Sequence, residues 1–242
     1  MQVKPYKNQQ GTKKEQVAQM FNSIAPRYDF LNHFLSLGID KIWRKKAISK
    51  LKNRNISNLL DIATGTGDFA ITASKIDGIS IIGIDISEQM LAVGREKLYK
   101  QNLQNRVNFL LGDSENIEFP DNSYEAITVA FGVRNFENLG KGLSEMYRVL
   151  KPNGIAVILE FSKPQTFPIK QVYNFYFKFI LPLLGRFVSK DNSAYTYLPE
   201  SVSHFPDGKN FIGELEKAGF SNCSIKSLTF GVATIYIGEK NA

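Results

Sequence analysis

The chain has 242 residues, 43% hydrophobic and 22% charged, with a formal net charge of +7 and a single cysteine, Cys223. That length supports a substantial core in one large domain, or in one domain with a small cap; a lone cysteine excludes an internal disulfide or a cysteine-rich zinc site and fits a reducing compartment. No run reaches the roughly 18 apolar residues that a membrane-crossing helix needs, and the opening MQVKPYKNQQGTKKEQ lacks the apolar stretch of a signal peptide, so a cytoplasmic location is expected.

Charge is unevenly spread. Residues 1–55 carry 12 Lys and Arg against 3 acids, residues 56–161 carry 9 against 14, and residues 162–242 carry 9 against 6. Basic ends around an acidic middle suit an anionic membrane surface, a nucleic acid, or plain solvated helix exteriors.

Residues 1–55 read as an N-terminal helical cap. Thr12 and Glu15 form a capping-box pattern before QVAQMFNSIA, Pro26 is expected to break that helix, and RYDFLNHFLSL forms a second, stopped by Gly38. A third, opened by Asp40, places Ile42, Trp43, Ala47, Ile48 and Leu51 at helical spacing. From Asn58 the pattern changes to short apolar runs alternating with helix-like stretches. Strands are expected at 58–62, 79–84, 106–111, 124–130 and 154–161, with helices at about 67–76, 87–101 and 138–150 between them. Such alternation predicts an α/β fold: a parallel sheet with helices on both faces. An aromatic-rich insertion follows at about 162–205. Pro206 and Asp207 then open a helix ended by Gly219, and CSIKSLTF and VATIYIGEK form an antiparallel hairpin through Gly231. Residues 56–242 are therefore taken as one domain.

The stretch LLDIATGTGDFAI holds the first chemistry. Gly65-Thr66-Gly67-Asp68-Phe69-Ala70 satisfies G-x-G-x-x-G/A, and Asp85 follows Gly65 by 20 residues, as in dinucleotide folds. Against a nicotinamide carrier stand Asp61, which would repel a pyrophosphate, and the closing helix and hairpin where a dinucleotide fold would repeat its first half. S-adenosylmethionine offers the complementary parts: an ammonium and a sulfonium, a diol and an adenine, and no phosphate. Asp61 is placed for the ammonium, Gly65 and Gly67 for close backbone approach, Asp85 with neighbouring Ile86 for the ribose, and Asp113 and Ser114 for the adenine edge. No metal is called for.

Beyond these motifs, MFNSIAPRYDFLNHFLSLGIDKIWRK, FPDNSYEAITVAFGVRNF, MYRVLKPNGIAVILEFSKP and YLPESVSHFPD resemble the ubiquinone/menaquinone biosynthesis C-methyltransferase family over nearly the whole chain. The resemblance implies a Rossmann-like class I S-adenosylmethionine-dependent methyltransferase fold of seven strands, and methyl transfer to a ring carbon of a polyprenylated hydroquinone, with demethylmenaquinol favoured. It carries cofactor contacts to Thr66, Asp85, Asp113 and Ser114. Where some relatives have a serine before FG, this chain has Ala130, which removes any contact through that side chain.

Ring methylation needs an ionised hydroxyl beside the attacking carbon, so a positive field or a base must favour the anion. Arg134 in FGVRN supplies fixed charge, Asn135 can orient the same oxygen, and Tyr28 of PRYD can close over the site from the cap. His33 and His204 are weaker candidates as bases. A prenyl tail needs apolar surface. The run from Phe167 through Tyr173, Phe175, Phe179, Leu181, Leu184 and Val188, with Lys170, Lys178 and Arg186, fits a tail channel or peripheral contact with an anionic bilayer, and Pro182 and the charges argue against spanning. A second copy of the chain is a further candidate partner. Another lipid or small phenolic acceptor remains an alternative substrate. A nucleic-acid-binding module is the alternative from another class, although no RNA-stacking motif or zinc module accompanies the lysines.

Overall fold

The computed structural model describes residues 3–180 and 193–242. At its centre is a seven-stranded sheet in the order β3-β2-β1-β4-β5-β7-β6. Strands β1 (Asn58–Ile62), β2 (Ser80–Asp85), β3 (Val107–Leu111), β4 (Tyr124–Ala130) and β5 (Leu150–Phe161) run parallel. The hairpin strands β6 (Ser221–Leu228) and β7 (Ala233–Glu239) pair antiparallel, and β7 pairs antiparallel with β5.

Both faces of the sheet are covered, and residue alternation shows it. Leu59, Ala126, Val157 and Ile235 face one apolar cluster, while their chain neighbours Leu60, Ile127, Ile158 and Tyr236 face the other. Two-residue periodicity therefore sends successive side chains into two cores, which is why these strands read as continuous apolar runs. On one side lie α3 (Asp68–Ala73) and α4 (Glu88–Lys100), with α2 (Ile39–Ile48) packed on α3 and β5. Trp43, Ala47 and Ile48 of α2 belong to the same core as β1 and β5. The other side carries α5 (Leu139–Val149), which buries Leu143, Met146 and Val149 on one stripe, and α8 (Lys209–Lys217).

Two expectations for the first helices need correction. Helix α1 (Lys13–Leu35) runs unbroken through Pro26. Tertiary contacts override the breaker: Ile24 and Ala25 pack on Met90 of α4, and Asn22 Oδ1 accepts bonds from Ser87 Oγ (2.8 Å) and Gln89 N (3.1 Å) at the start of α4. Asp40 does not open α2 as a cap. Gly38 holds that position, and the buried Asp40 carboxylate accepts from Ser36 Oγ (2.7 Å) and is paired with Arg44.

In the insertion, α6 (Ile169–Phe175) leads into a π-helical turn (Tyr176–Ile180), and α7 (Ser193–His204) returns the chain to the domain. Leu181, Pro182, Leu184, Arg186 and Val188, expected in the tail channel, lie outside the described residues, as does the Lys178 side chain.

Candidate active site

Strand order reverses between β1 and β4, and ligands of open α/β sheets bind at that point, beyond the carboxyl ends of the strands. The glycine turn sits there. Gly65 and Gly67 have φ of 57° and 81°, a left-handed geometry that glycine adopts without strain. The two differ in what surrounds them. A Cβ on Gly67 would stand 2.3 Å from the Phe109 ring, whereas one on Gly65 would meet nothing within 4 Å. Gly67 therefore packs, and Gly65 borders open space.

Asp85 closes the turn from below. Its carboxylate accepts from Gly65 N (2.8 Å) and Ser87 N (2.9 Å), and burial raises its pKa to about 6 against the pull of those amides. A carboxylate has about four acceptor positions, and the amides of Gly65, Ser87 and Ile86 take up most of them, leaving capacity for a hydroxyl donor. Asp61 is fully buried beneath the same turn, where Thr64 Oγ1 (2.6 Å) and Thr128 Oγ1 (2.5 Å) donate to it and burial raises its pKa to about 6. In this position it holds the turn rather than facing the crevice. Thr66 is likewise buried, its hydroxyl donating to Asp29 Oδ1 of α1 (2.5 Å), with Lys97 Nζ 2.8 Å from Asp29 Oδ2.

A narrow crevice of about 50 Å³ brings together Asp85, Ile86, Asp113 and Ser114 with Asn135. Lys14 of α1 reaches across it, its Nζ 2.6 Å from Asp113 Oδ2 and 3.5 Å from Glu115 Oε2. The neighbouring Lys13 is buried and donates to the carbonyls of Arg134 (3.0 Å) and Phe136 (2.7 Å); burial, helped by the Arg134 charge, lowers its pKa to about 8. The N-terminal helix thus fixes the FGVRN turn.

Next to the crevice, sharing Phe21 as a wall, lies an apolar cavity of about 400 Å³. Helices α1, α2, α6 and α7 and the ends of β4 and β5 enclose it, and Tyr28, Arg44 and Arg134 line it. Asn135, expected beside Arg134 on the substrate, lines the crevice instead. Arg134 pairs with the fully buried Glu160 (Nη1 to Oε1, 2.7 Å), donates to Phe131 O and lies 5.4 Å over the Phe161 ring. Burial raises the pKa of Glu160 against the opposing Arg134 charge. The Tyr28 phenol also has a raised pKa, again from burial, with Asn32 and the Arg134 and Arg44 charges opposing. Trp43 stands in the cavity wall, with Nε1 donating to Thr229 Oγ1 (2.8 Å) and its ring against Phe131 and Phe161.

Among the described residues, five buried side-chain atoms lack a hydrogen-bond partner: Arg44 Nε, Arg134 Nε, Asn135 Oδ1, Tyr173 Oη and Tyr197 Oη. Asn135 lines the crevice and the other four line the cavity. An unpaired buried polar group costs about 1–3 kcal/mol, so their concentration around these two openings sets the region apart from ordinary packing. Tyr173, expected in the tail channel, does line the cavity, whereas sequence reasoning missed Lys14, Arg44 and Tyr197 as lining residues, and Glu160 as the partner of Arg134. An acid ending the apolar run AVILE was the available signal for Glu160, since a buried carboxylate requires a partner.

The histidines lie elsewhere. His33 Nδ1 is 2.9 Å from Asp40 Oδ2 and its Nε2 is 3.7 Å from Asp68 Oδ2, a cluster whose carboxylates are also held by Arg44 and Lys97. His204 is exposed at the end of α7.

Seven strands in this order, with an open glycine turn and acidic strand ends, define a class I S-adenosylmethionine-dependent methyltransferase fold. Solved structures share it at low identity. The [4+2]-cyclase SpnF superposes with a TM-score of 0.70 at 17% identity, covering 96% of this chain and 98% of its own. A Thermotoga maritima S-adenosylmethionine-dependent methyltransferase described as a possible histamine N-methyltransferase gives 0.67 at 18%, covering 93% and 99%. The chain belongs to the ubiE/COQ5 methyltransferase family, whose model matches residues 9–240. Demethylmenaquinone methyltransferase of Bacteroides fragilis is 52% identical, covering 98% of this chain and 97% of that protein. The ubiquinone/menaquinone biosynthesis C-methyltransferase of Geotalea daltonii is 47% identical, covering 94% and 97%.

Proposed function

We propose that the chain methylates a ring carbon of a polyprenylated hydroquinone, demethylmenaquinol, in respiratory quinone biosynthesis. The carrying observation is the pair of adjoining sites: an acidic, glycine-walled crevice sharing Phe21 with a large apolar cavity that has Arg134 in its wall. S-adenosylmethionine would bind along the strand ends with its adenine end in the crevice, and the open face of Gly65 leaves room for the rest. When bound, it supplies an electrophilic methyl group on a sulfonium. Asp85 would hold the ribose hydroxyls, Asp113 and Ser114 the adenine edge, and the Gly65 backbone the amino-acid end. Arg134, kept in place by Glu160 and Phe131 O, puts a fixed positive charge in the cavity wall, which favours the ionised form of the ring hydroxyl.

Apolar side chains continue from the cavity to the surface. Leu37 and Val172 both line it and are more than half exposed, as are Phe167, Phe175 and Phe230 nearby in the chain. Among the described residues no helix is long and apolar enough to cross a membrane. An exposed apolar rim beside a greasy cavity supports peripheral docking on a bilayer, from which a prenyl tail enters sideways.

Incubation with S-adenosylmethionine and reduced demethylmenaquinone, followed by mass spectrometry, should yield a quinone heavier by one methyl group. Absence of that product, with turnover of another lipid or small phenol, would replace the acceptor. Flotation on phosphatidylglycerol vesicles should be lost in a Phe167→Ser, Phe175→Ser, Phe230→Ser variant; unchanged flotation would remove the membrane contact.

A further inference from the structure

The first turn of α1 straddles the crevice. On one side Lys13 Nζ donates to the carbonyls of Arg134 and Phe136, and the Lys13 amide donates to Glu137 Oε1 (2.8 Å). On the other, Lys14 Nζ lies 2.6 Å from Asp113 Oδ2 and 3.5 Å from Glu115 Oε2. The backbone of this turn is fixed. Thr12 N donates to Glu15 Oε2 (2.8 Å) and Glu15 N to Thr12 Oγ1 (3.2 Å), a closed capping box, and Val17 is buried with Met20 and Tyr197 one turn on. The Lys14 side chain differs: it is 31% exposed, and its four-carbon stem is flexible, so it is a part of this wall that can swing.

Lys14 holds an acceptor that the methyl donor needs. Asp113 Oδ1 accepts from Glu115 N (2.9 Å), and Lys14 Nζ takes Oδ2. Partial burial opposes the ammonium, but the Asp113 hydrogen bond and the Glu115 and Asp113 charges outweigh it and raise its pKa, so Lys14 stays charged. Room points the same way. A closed apolar cavity of about 150 Å³ takes one benzene ring, whereas this crevice offers about 50 Å³. A purine therefore needs a wall to retreat.

We propose that the Lys14 side chain is a latch on the donor site: its ammonium occupies Asp113 until the exocyclic amine of an incoming adenine displaces it, and it then swings to solvent. The inference rests on the reading of the crevice as the adenine end of the donor site. The exchange strands no buried charge. Asp113 trades one hydrogen-bond donor for another, and Glu115 keeps the amides of Glu137 (2.7 Å) and Asn138 (3.1 Å) on Oε1. Because the latch opens before the ligand seats, apparent affinity is reduced to the fraction of chains in which it is open, and the effect falls on association rather than release. A partly exposed ion pair is worth at most about 1 kcal/mol, so the penalty is at most about five-fold.

The test is binding of S-adenosylhomocysteine, which carries the same adenine and no net charge, to the full chain by calorimetry and stopped-flow. Lys14→Met should bind it about two- to five-fold tighter, with faster association and unchanged dissociation. Lys14→Arg keeps the pair and should match the parent. Asp113→Asn should bind more weakly, since it loses the acceptor along with the latch. Unchanged or weaker binding by Lys14→Met would overturn the latch, as would any change confined to dissociation, which marks Lys14 as a contact to the bound ligand. Unchanged affinity in Asp113→Asn would remove the adenine from Asp113 and the latch with it. Failure of the native chain to bind S-adenosylhomocysteine would instead overturn the donor-site reading itself.

Discussion

In the narrow crevice the carboxylates of Asp85, Asp113 and Glu115 already have partners supplied by the fold, whereas residues lining the adjoining cavity carry four buried polar atoms that have none. Asp85 is held by Gly65 and Ser87, Asp113 by Glu115 N and Lys14, and Glu115 by the amides of Glu137 and Asn138. Such a site is organised by local backbone and can serve any chemistry that uses the same donor. The cavity is assembled from distant segments, and four buried polar atoms of its lining residues have no partner in the fold. On the proposed function, selectivity for the acceptor would reside in the second region.

The comparison breaks first at the Arg134–Glu160 pair on the cavity side. Glu160→Ala leaves a 7% exposed guanidinium side chain without its counter-charge, and should cost about 3–5 kcal/mol in a denaturant titration together with methyl transfer. Next is the glycine turn. Gly67→Ala drives a methyl group to 2.3 Å from Phe109 at φ 81°, and a loss of about 3 kcal/mol is expected. Gly65→Ala meets only backbone strain, so a loss of about 1 kcal/mol should accompany markedly weaker S-adenosylmethionine binding by calorimetry. Similar losses at both positions would contradict the division between a packing glycine and a ligand-facing one.

Titration of Asp85 gives a smaller effect with a definite sign. Its folded pKa of about 6 lies above the ordinary carboxylate value, so the ligand-free fold binds the proton more tightly than the unfolded chain. The stability this confers is complete at low pH and is lost as pH rises from about 4 through about 6. Asp85→Asn should therefore be more stable than the parent near neutral pH, on the order of 1 kcal/mol, with a flatter pH profile. Donor affinity runs the other way, since an ionised carboxylate accepts the diol: it should weaken below pH of about 6 in the parent and be poor at every pH in the variant. Smallest is Lys14→Met. That partly exposed ion pair should change stability by less than about 1 kcal/mol, and calorimetry with S-adenosylmethionine shows whether Lys14 competes for Asp113.

How much of this was legible beforehand follows from the same contrast. Strand positions and the crevice residues Asp85, Asp113 and Ser114 stand at strand ends in contiguous motifs, and short-range pattern is enough to find them. Asp61 and Thr66 were also legible, but their hydroxyl and carboxylate partners, Thr128 and Asp29, come from other segments, so their inward-facing placement was not. Pro26 misled because local propensity yields to the packing of α1 on α4. Tyr197 and Tyr173 look like any aromatic residues of amphipathic helices. Only the closure of α6 and α7 over Arg134 leaves their hydroxyls without partners.

Trp43 is the chain's single tryptophan, and it forms part of the cavity wall beside Phe131 and Phe161. Its indole is anchored to Thr229, so it should keep its place when the chamber fills. The molecule thus carries a native optical reporter: emission excited at the indole band should dim and shift to the blue as water gives way to an aromatic guest, so occupancy can be followed in real time without a label.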